Sequence, residues 1–374
     1  MKTRQKISNR QLAITERSYV LVLREHSWFI FFTFTYIAFS SLAGIFYGHP
    51  ELVEFSLYSK IFYELISVAV LLMIAIYLVR ITFFASTKSL IEKISADTKA
   101  HVFNVNNIIS ILLVAIAFPL IASSLTILKT LLPFVVPYYL DTTLVELDKT
   151  LHFGIAPWEL IQPLLGHPYI TFIMNVVYNF WFFMQMFVVI WQMFALGRPR
   201  LRMQFLVTYV LVWLILGSLA AILLASAGPC YYSKLFGTPD PYAPLFLYLQ
   251  SVNDTLAANN LSLWALNTQS YLWEHFETST TGLGSGISAM PSLHVAIAVL
   301  IAIVGFQTNR ALGIFLTCHA LLVFIGSVHL GWHYAVDGYV SALATVAIWK
   351  ISGYLVRKTP ERRTSLPEES YKAP

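Results

Sequence analysis

Two stretches in the last third of the chain place histidines among groups that bind or orient phosphate. In the first, residues 284–294 (GSGISAMPSLH), a Gly/Ser-rich turn leads to Pro291, a residue suited to the first position of a helix. Free backbone N–H groups and the positive helix end would face an anion there, with the Ser292 hydroxyl as a further donor. Because His294 falls in the same turn, the stretch predicts a phosphate-binding cradle with a histidine at its edge.

The second stretch, residues 329–337 (HLGWHYAVD), places His333 and Asp337 four residues apart. On a helix this spacing puts both side chains on one face. A carboxylate on one imidazole nitrogen fixes the tautomer and leaves the other nitrogen free to attack. The spacing predicts an oriented nucleophile at His333, with His329 as a supporting or interface residue. Two alternatives are a metal site shared by His329, His333, Asp337 and His294, and plain interhelical hydrogen bonding.

Membrane helices must position these residues. The 374-residue chain is 57% hydrophobic and 11% charged, whereas soluble domains carry about a quarter charged residues. The apolar runs lack the short alternation of a membrane barrel, so the sequence predicts an all-α integral membrane protein. Runs of about 20 apolar residues predict eight spans, near 28–48, 61–84, 108–128, 168–196, 204–226, 287–306, 311–332 and 334–355.

The distribution of basic residues predicts the orientation. With the amino terminus inside, 20 of the 24 Lys and Arg residues fall in inner segments, and only Lys60, Lys129, Lys149 and Lys234 fall in outer ones. This bias predicts cytoplasmic termini and a site at the outer face, and it explains the basic residues without nucleic acid. Two outer segments follow, 129–167 and 227–286, the first with a helix along the interface. We interpret six of their ionisable groups as solvated loop residues: Asp148, His152, Asp254, Glu274, His275 and Glu277.

Both histidine stretches resemble motifs of the type 2 phosphatidic acid phosphatase superfamily, which includes the inositol phosphorylceramide synthases. The family's second motif, PSGH, is matched by residues 291–294 (PSLH). Its third, Ser-Arg, five residues, His, three residues, Asp, is matched in its second half by residues 333–337. The resemblance covers residues 108–355 as a six-helix catalytic core. Residues 1–107 are then a cytoplasmic segment with two accessory spans, and residues 356–374 a disordered cytoplasmic tail.

The resemblance implies a mechanism. His333 attacks phosphorus to form a phosphohistidine, Asp337 orients it, and His294 protonates the leaving group, without a metal or another cofactor. It also implies membrane lipids as partners, with a phospholipid or lipid phosphate as donor and a lipid or water as acceptor.

The chain departs from the family pattern at three places. Leu293 replaces the Gly of the second motif, so that substrate must approach its N–H past a bulky side chain, and Gly326-Ser327 replaces Ser-Arg in the third. The first motif, Lys, six residues, Arg-Pro, is absent after the 204–226 run, and Arg198-Pro199 falls on the predicted cytoplasmic side. Residues 228–234 (GPCYYSK) stand there instead and are similar to the inositol phosphorylceramide synthase branch.

This replacement predicts substrate contacts at Tyr231, Tyr232 and Lys234, although tyrosines are also enriched at membrane interfaces. Fewer arginines favour a singly charged phosphodiester over a phosphate monoester dianion. The sequence therefore predicts a lipid phosphotransferase similar to inositol phosphorylceramide synthases. Its alternatives are a phosphatase that uses water to hydrolyse a lipid phosphate or polyprenyl diphosphate, and a lipid-binding or transport protein without catalysis.

Overall fold

The computed structural model describes residues 19–84 and 104–359, and within these ranges every regular element is helical. The predicted all-α fold class is thus confirmed. Apart from short turns and one-turn helices, the elements are α1 (Ser27–Phe46), α2 (Ser59–Phe84), α3 (Val105–Val135), α4 (Asp141–Leu151), α5 (Pro157–Leu165), α6 (Pro168–Phe194), α7 (Pro199–Leu223), α8 (Ala243–Ala257), α9 (Trp264–Glu277), α10 (Leu293–Thr308), α11 (Arg310–His329) and α12 (Ala335–Arg357).

Seven helices of the described chain are long and apolar enough to cross a bilayer: α1, α2, α3, α6, α7, α11 and α12. The eighth predicted span corresponds to α10, which has 16 residues and therefore rises only about 24 Å. It was expected to begin at residue 287 but begins at Leu293. Pro291 is therefore not the first helical residue, because Ser292 takes an extended conformation and caps the helix, with its Oγ accepting from the Val295 N–H at 3.5 Å.

The third predicted span ends later than expected. α3 continues to Val135 rather than stopping at residue 128. Lys129, which the sequence placed in an outer loop, is therefore part of a membrane helix. The predicted interfacial segment that follows forms two short helices, α4 and α5.

The helices alternate in direction. Residues near the ends of α3 and α7 and near the beginnings of α2, α10 and α12 line one common cavity. We call this end of the bundle the site end. Both ends of the described chain, before α1 and after α12, consequently lie at the opposite end. Residues 1–18, 85–103 and 360–374 lie outside the described residues, and with them most of the predicted cytoplasmic amino-terminal segment and tail. Residues 356 and 357, which the sequence assigned to the disordered tail, belong to α12.

The two amino-terminal helices differ in how they join the bundle. Tyr36 of α1 is buried, and its hydroxyl bonds the Trp213 carbonyl oxygen at 3.2 Å and the Ser218 Oγ at 2.7 Å. Both partners belong to the π-helical stretch of α7, Val212–Ala220. α2 instead lies at the periphery, where only 6% of its most apolar 18-residue stretch is buried.

Candidate active site

A cavity of about 340 Å³ opens at the site end between α3, α6 and α10. Most of its wall is apolar or aromatic, with Leu125, Phe182 and Met186 among the contributing residues. Among the described residues that line it, the ionisable basic groups are Lys129, His294 and His333, and no carboxylate is present. The cavity thus has a mostly apolar wall and a polar part formed by these three basic side chains.

His333 and Asp337 form a buried pair where α12 begins. His333 Nδ1 lies 3.3 Å from Asp337 Oδ2, and the two side chains are 7% and 0% exposed. The same oxygen accepts the Tyr334 N–H at 3.1 Å, which fixes the carboxylate against the helix end. His333 Nε2 makes no hydrogen bond to a described residue and is the free nitrogen of the pair. The two side chains are in contact, but His333 precedes the helix, whose cap is Tyr334, so the pair forms across the helix start rather than along one helical face as the spacing predicted.

His294 lies across the cavity from this pair. Its ring is 5.9 Å from the His333 ring, centroid to centroid. The aromatic rings of Tyr178 and Trp181 hold it at centroid distances of 4.9 and 4.3 Å. Two imidazoles from distant parts of the sequence thus lie close together in one cavity.

This separation suits chemistry at a single phosphorus. A nucleophile attacks from about 3–3.5 Å, and an acid donates a proton over about 2.6–3.2 Å. A phosphate group between the two rings would therefore lie within reach of an imidazole nitrogen on each side.

Two buried carboxylates of α4 hold the segments around the pair, although we predicted Asp148 to be a solvated loop residue. Asp148 is 2% exposed and accepts the N–H groups of Ala335 and Val336 at 2.8 and 2.9 Å. These are the first two amides of α12, which have no partner inside the helix. Burial raises the pKa of the Asp148 carboxyl, and these two hydrogen bonds partly oppose that shift. The interpretation of Asp148 as a solvated loop group is therefore wrong.

Asp141 performs the same role for the segment after α7. Its carboxylate accepts the Ala227 and Gly228 N–H groups at 3.0 and 2.8 Å, and the Tyr334 hydroxyl at 2.9 Å. α4 thereby connects the segment that carries Tyr231 to the start of the helix that carries Asp337.

The predicted substrate contacts separate into two groups. Leu293 and Tyr231 line the cavity, and the Tyr231 hydroxyl donates to the Gln269 carbonyl oxygen at 3.0 Å. Ser292, Tyr232 and Lys234 are not among the lining residues. Ser292 is fully buried as the cap of α10, and the exposed Lys234 places its ammonium 4.4 Å from the centroid of the Trp273 ring. Their predicted roles as substrate contacts have no support in this arrangement.

His329 is separate from the pair that follows it. It is fully buried, and its Nε2 lies 2.9 Å from the Thr171 hydroxyl, which in turn bonds the Tyr248 hydroxyl. Among the described residues no three His, Cys, Asp or Glu side chains gather as a metal-binding group. The position of His329 agrees with the interface role rather than with a shared metal site.

Among the polar lining residues that the sequence interpretation did not assign to the site are Lys129 and Ser288. Ser288 Oγ is buried and has no hydrogen-bond partner among the described residues. A signal for Lys129 was present, because it stands in an apolar run, where an ionisable residue marks function by default. Ser288 stood within the predicted cradle, but nothing in the sequence separated it from its neighbouring serines.

A bundle of membrane helices with a buried His–Asp pair and a second histidine across an apolar cavity defines a membrane protein equipped for phosphoryl chemistry. The family profile described as the PAP2 superfamily matches residues 142–351, which is more than half of the chain. The chain belongs to the PAP2 superfamily, and this membership supports a phosphatase- or phosphotransferase-type activity. Comparisons with curated proteins and with solved structures give no significant match.

Proposed function

We propose that this protein is a lipid phosphotransferase that works through a phosphohistidine at His333, on the outer face of its membrane. The observation that carries the proposal is the His333–Asp337 pair, with its free Nε2 on the cavity and His294 5.9 Å away. The superfamily match includes all three residues.

In the first half-reaction, His333 Nε2 attacks the phosphorus of a lipid donor. An N–P bond forms, the bond from phosphorus to the leaving oxygen breaks, and protonated His294 gives that oxygen its proton. Asp337 holds the Nδ1 proton and stabilises the positive charge that develops on the ring.

In the second half-reaction, an acceptor hydroxyl attacks the phosphohistidine. His294, now neutral, takes the hydroxyl proton, and the N–P bond breaks as the new P–O bond forms. His294 and His333 thus both return to their starting protonation states without another reactant.

The apolar body of the cavity supports a lipid substrate. Its wall includes Ile61 of α2, Leu125 of α3 and Phe182 of α6. A hydrocarbon chain contacts such a wall favourably, at about 25 cal/mol for each Å² of apolar surface buried. Within the lipid-active enzymes, we propose a transferase similar to inositol phosphorylceramide synthases, which moves a phospho-headgroup onto a lipid hydroxyl.

The test of the intermediate uses the purified full chain in detergent. A donor phospholipid with labelled phosphorus should leave acid-labile, alkali-stable label on the parent and none on His333→Ala. His294→Ala should turn over at least 10²-fold more slowly, while His167→Ala, which changes an exposed histidine at the start of α6, should match the parent. Equal turnover by the parent and both site variants would refute the proposal.

The acceptor is tested separately. The phospholipid donor is supplied with ceramide or diacylglycerol, and the products are separated by mass spectrometry. A new phosphorylated lipid supports the transferase. Inorganic phosphate from a lipid phosphate monoester, with no new lipid, would instead show a phosphatase, and saturable lipid binding without any product would show a binding protein.

A further inference from the structure

The cavity contains a cation that the histidine motifs do not include. Lys129 is half-buried near the end of α3 and lines the same cavity as His294 and His333. It makes no ion pair or hydrogen bond with any described residue, and no described carboxylate lines the cavity. An ammonium group in a membrane bundle is costly without a counter-charge. Its surroundings therefore favour an anionic ligand.

The glycine-rich segment before α10 fixes this part of the cavity. Gly286 packs directly on the α3 backbone, where an added Cβ would lie 2.7 Å from the Lys129 carbonyl carbon and 2.7 Å from the Thr130 nitrogen. Ser288, two residues further along, lines the same cavity. The unpartnered Ser288 Oγ is a second hydrogen-bonding group there.

Lys129 also stands between two cavities. A neighbouring one of about 190 Å³ shares Lys129, Gly286 and Ile287 with the first, and is otherwise lined by residues that include His275 and Ser279. Ser279 is exposed. Lys129 thus lies where the polar headgroup of a bound lipid would extend from the apolar main cavity into the smaller one.

We propose that Lys129, assisted by Ser288, binds the non-bridging oxygens of the phosphate that His333 attacks, in place of the guanidinium groups that the motifs of this chain lack. The inference rests on the proposed function and specifies its substrate class. One ammonium matches the single negative charge of a phosphodiester better than a monoester dianion. The substrate is then a phosphodiester lipid whose headgroup lies towards the smaller cavity.

The kinetic test compares Lys129→Met, Lys129→Arg and the control Lys60→Met in the detergent-purified full chain. Lys60 is an exposed lysine at the start of α2 and does not line the cavity. Lys129→Met should lower kcat/KM for a phospholipid about 10- to 100-fold, as expected for a lost charge-assisted hydrogen bond. Lys129→Arg should keep most of the parental kcat/KM, because it retains the positive charge, and Lys60→Met should have the same kcat/KM as the parent. Unchanged kcat/KM in a folded Lys129→Met protein would overturn the inference.

The binding test does not depend on turnover. Inorganic phosphate is titrated against tryptophan fluorescence, because Trp181, Trp213 and Trp332 line the cavity. Lys129→Met should weaken the dissociation constant about 10-fold or more, and Ser288→Ala should weaken it by less. A Lys129-dependent signal in a protein without turnover would refute the proposed function, and with it the attack by His333, while showing that Lys129 binds phosphate. The reverse result, labelling of His333 with phosphate binding independent of Lys129, would refute the inference alone. If Lys129→Met does not fold, the neutral Lys129→Gln replaces it in both readouts.

Discussion

At the residue scale, the central feature is that the two imidazoles of the cavity are held in different ways. His333 is fixed on one side by Asp337 and has its other nitrogen on the cavity, whereas His294 is held by two aromatic rings. One histidine is thus oriented by a hydrogen bond and the other by packing. The first arrangement suits a nucleophile that must keep one tautomer, and the second suits a group that both gives and takes a proton.

Asp337→Asn tests the orienting role. The amide fills the same volume but no longer stabilises a positive imidazole, so we expect kcat to fall about 10²- to 10⁴-fold with little change in KM. Steady-state kinetics on the purified protein measure kcat and KM separately. Asp254→Asn is the matched control, because Asp254 is exposed on α8 and bonds only the Gln250 side chain at 2.9 Å. A parental kcat in Asp337→Asn would contradict the assigned role.

A pair of glycines tests the packing of the segment before α10. Gly284 and Gly286 both have positive φ, +74° and +94°, but only at Gly286 would an added Cβ meet backbone atoms, those of Lys129 and Thr130. Both substitutions strain the backbone, but only Gly286→Ala adds a steric clash. Gly286→Ala should therefore lower the free energy of unfolding by about 1–3 kcal/mol more than Gly284→Ala. Unfolding midpoints in detergent measure the difference. Equal unfolding midpoints of the two variants would show that the segment before α10 does not pack tightly on α3.

At the scale of elements, α4 acts as a clamp between two parts of the site. Asp141 accepts amides of the segment after α7, and Asp148 accepts amides of the first turn of α12. A helix end that leaves its amides unbonded in a buried place is unfavourable. The short interfacial helix therefore supplies what the start of α12 requires.

Asp148→Ala should loosen the start of α12 and with it the His333–Asp337 pair. Two buried amides lose their acceptor, so we expect a loss of about 2–4 kcal/mol in stability and a lower kcat. Thermal unfolding and kinetics are measured together. Glu146→Gln on the exposed face of the same helix, where Glu146 pairs with Lys149 at 3.6 Å, should change neither appreciably. Equal effects of both substitutions would contradict the clamp.

At the scale of the whole molecule, the positive-inside bias predicts that the site end faces outwards. A version without Cys230 and Cys318 should carry one new cysteine at Glu277, after α9, or at Gln307, at the far end of α10; both positions are exposed. A membrane-impermeant maleimide should label Glu277→Cys on intact cells, and Gln307→Cys only after permeabilisation. The opposite labelling pattern would reverse the topology.

Most of the bundle was predictable because hydrocarbon tolerates little besides long apolar helices. The residues that meet across the sequence were predictable only where spacing carried the signal, as at His333 and Asp337. Nothing in the pattern around Asp148 distinguishes an acceptor of buried amides from a solvated carboxylate, since that role depends on a partner 187 residues away. Lys129 was misplaced for a simpler reason, because its charge was taken as the end of a span that continues to Val135.

The hydroxyl of Tyr36 has a practical consequence for anyone who wishes to shorten this protein. It bonds a carbonyl oxygen and a serine within the π-helical stretch of α7, and a truncated gene that starts at α3 would remove this buried contact. The resulting fragment would retain every side chain to which we assign a catalytic role and yet assemble poorly. Expression trials of the minimal enzyme should therefore begin upstream of α1.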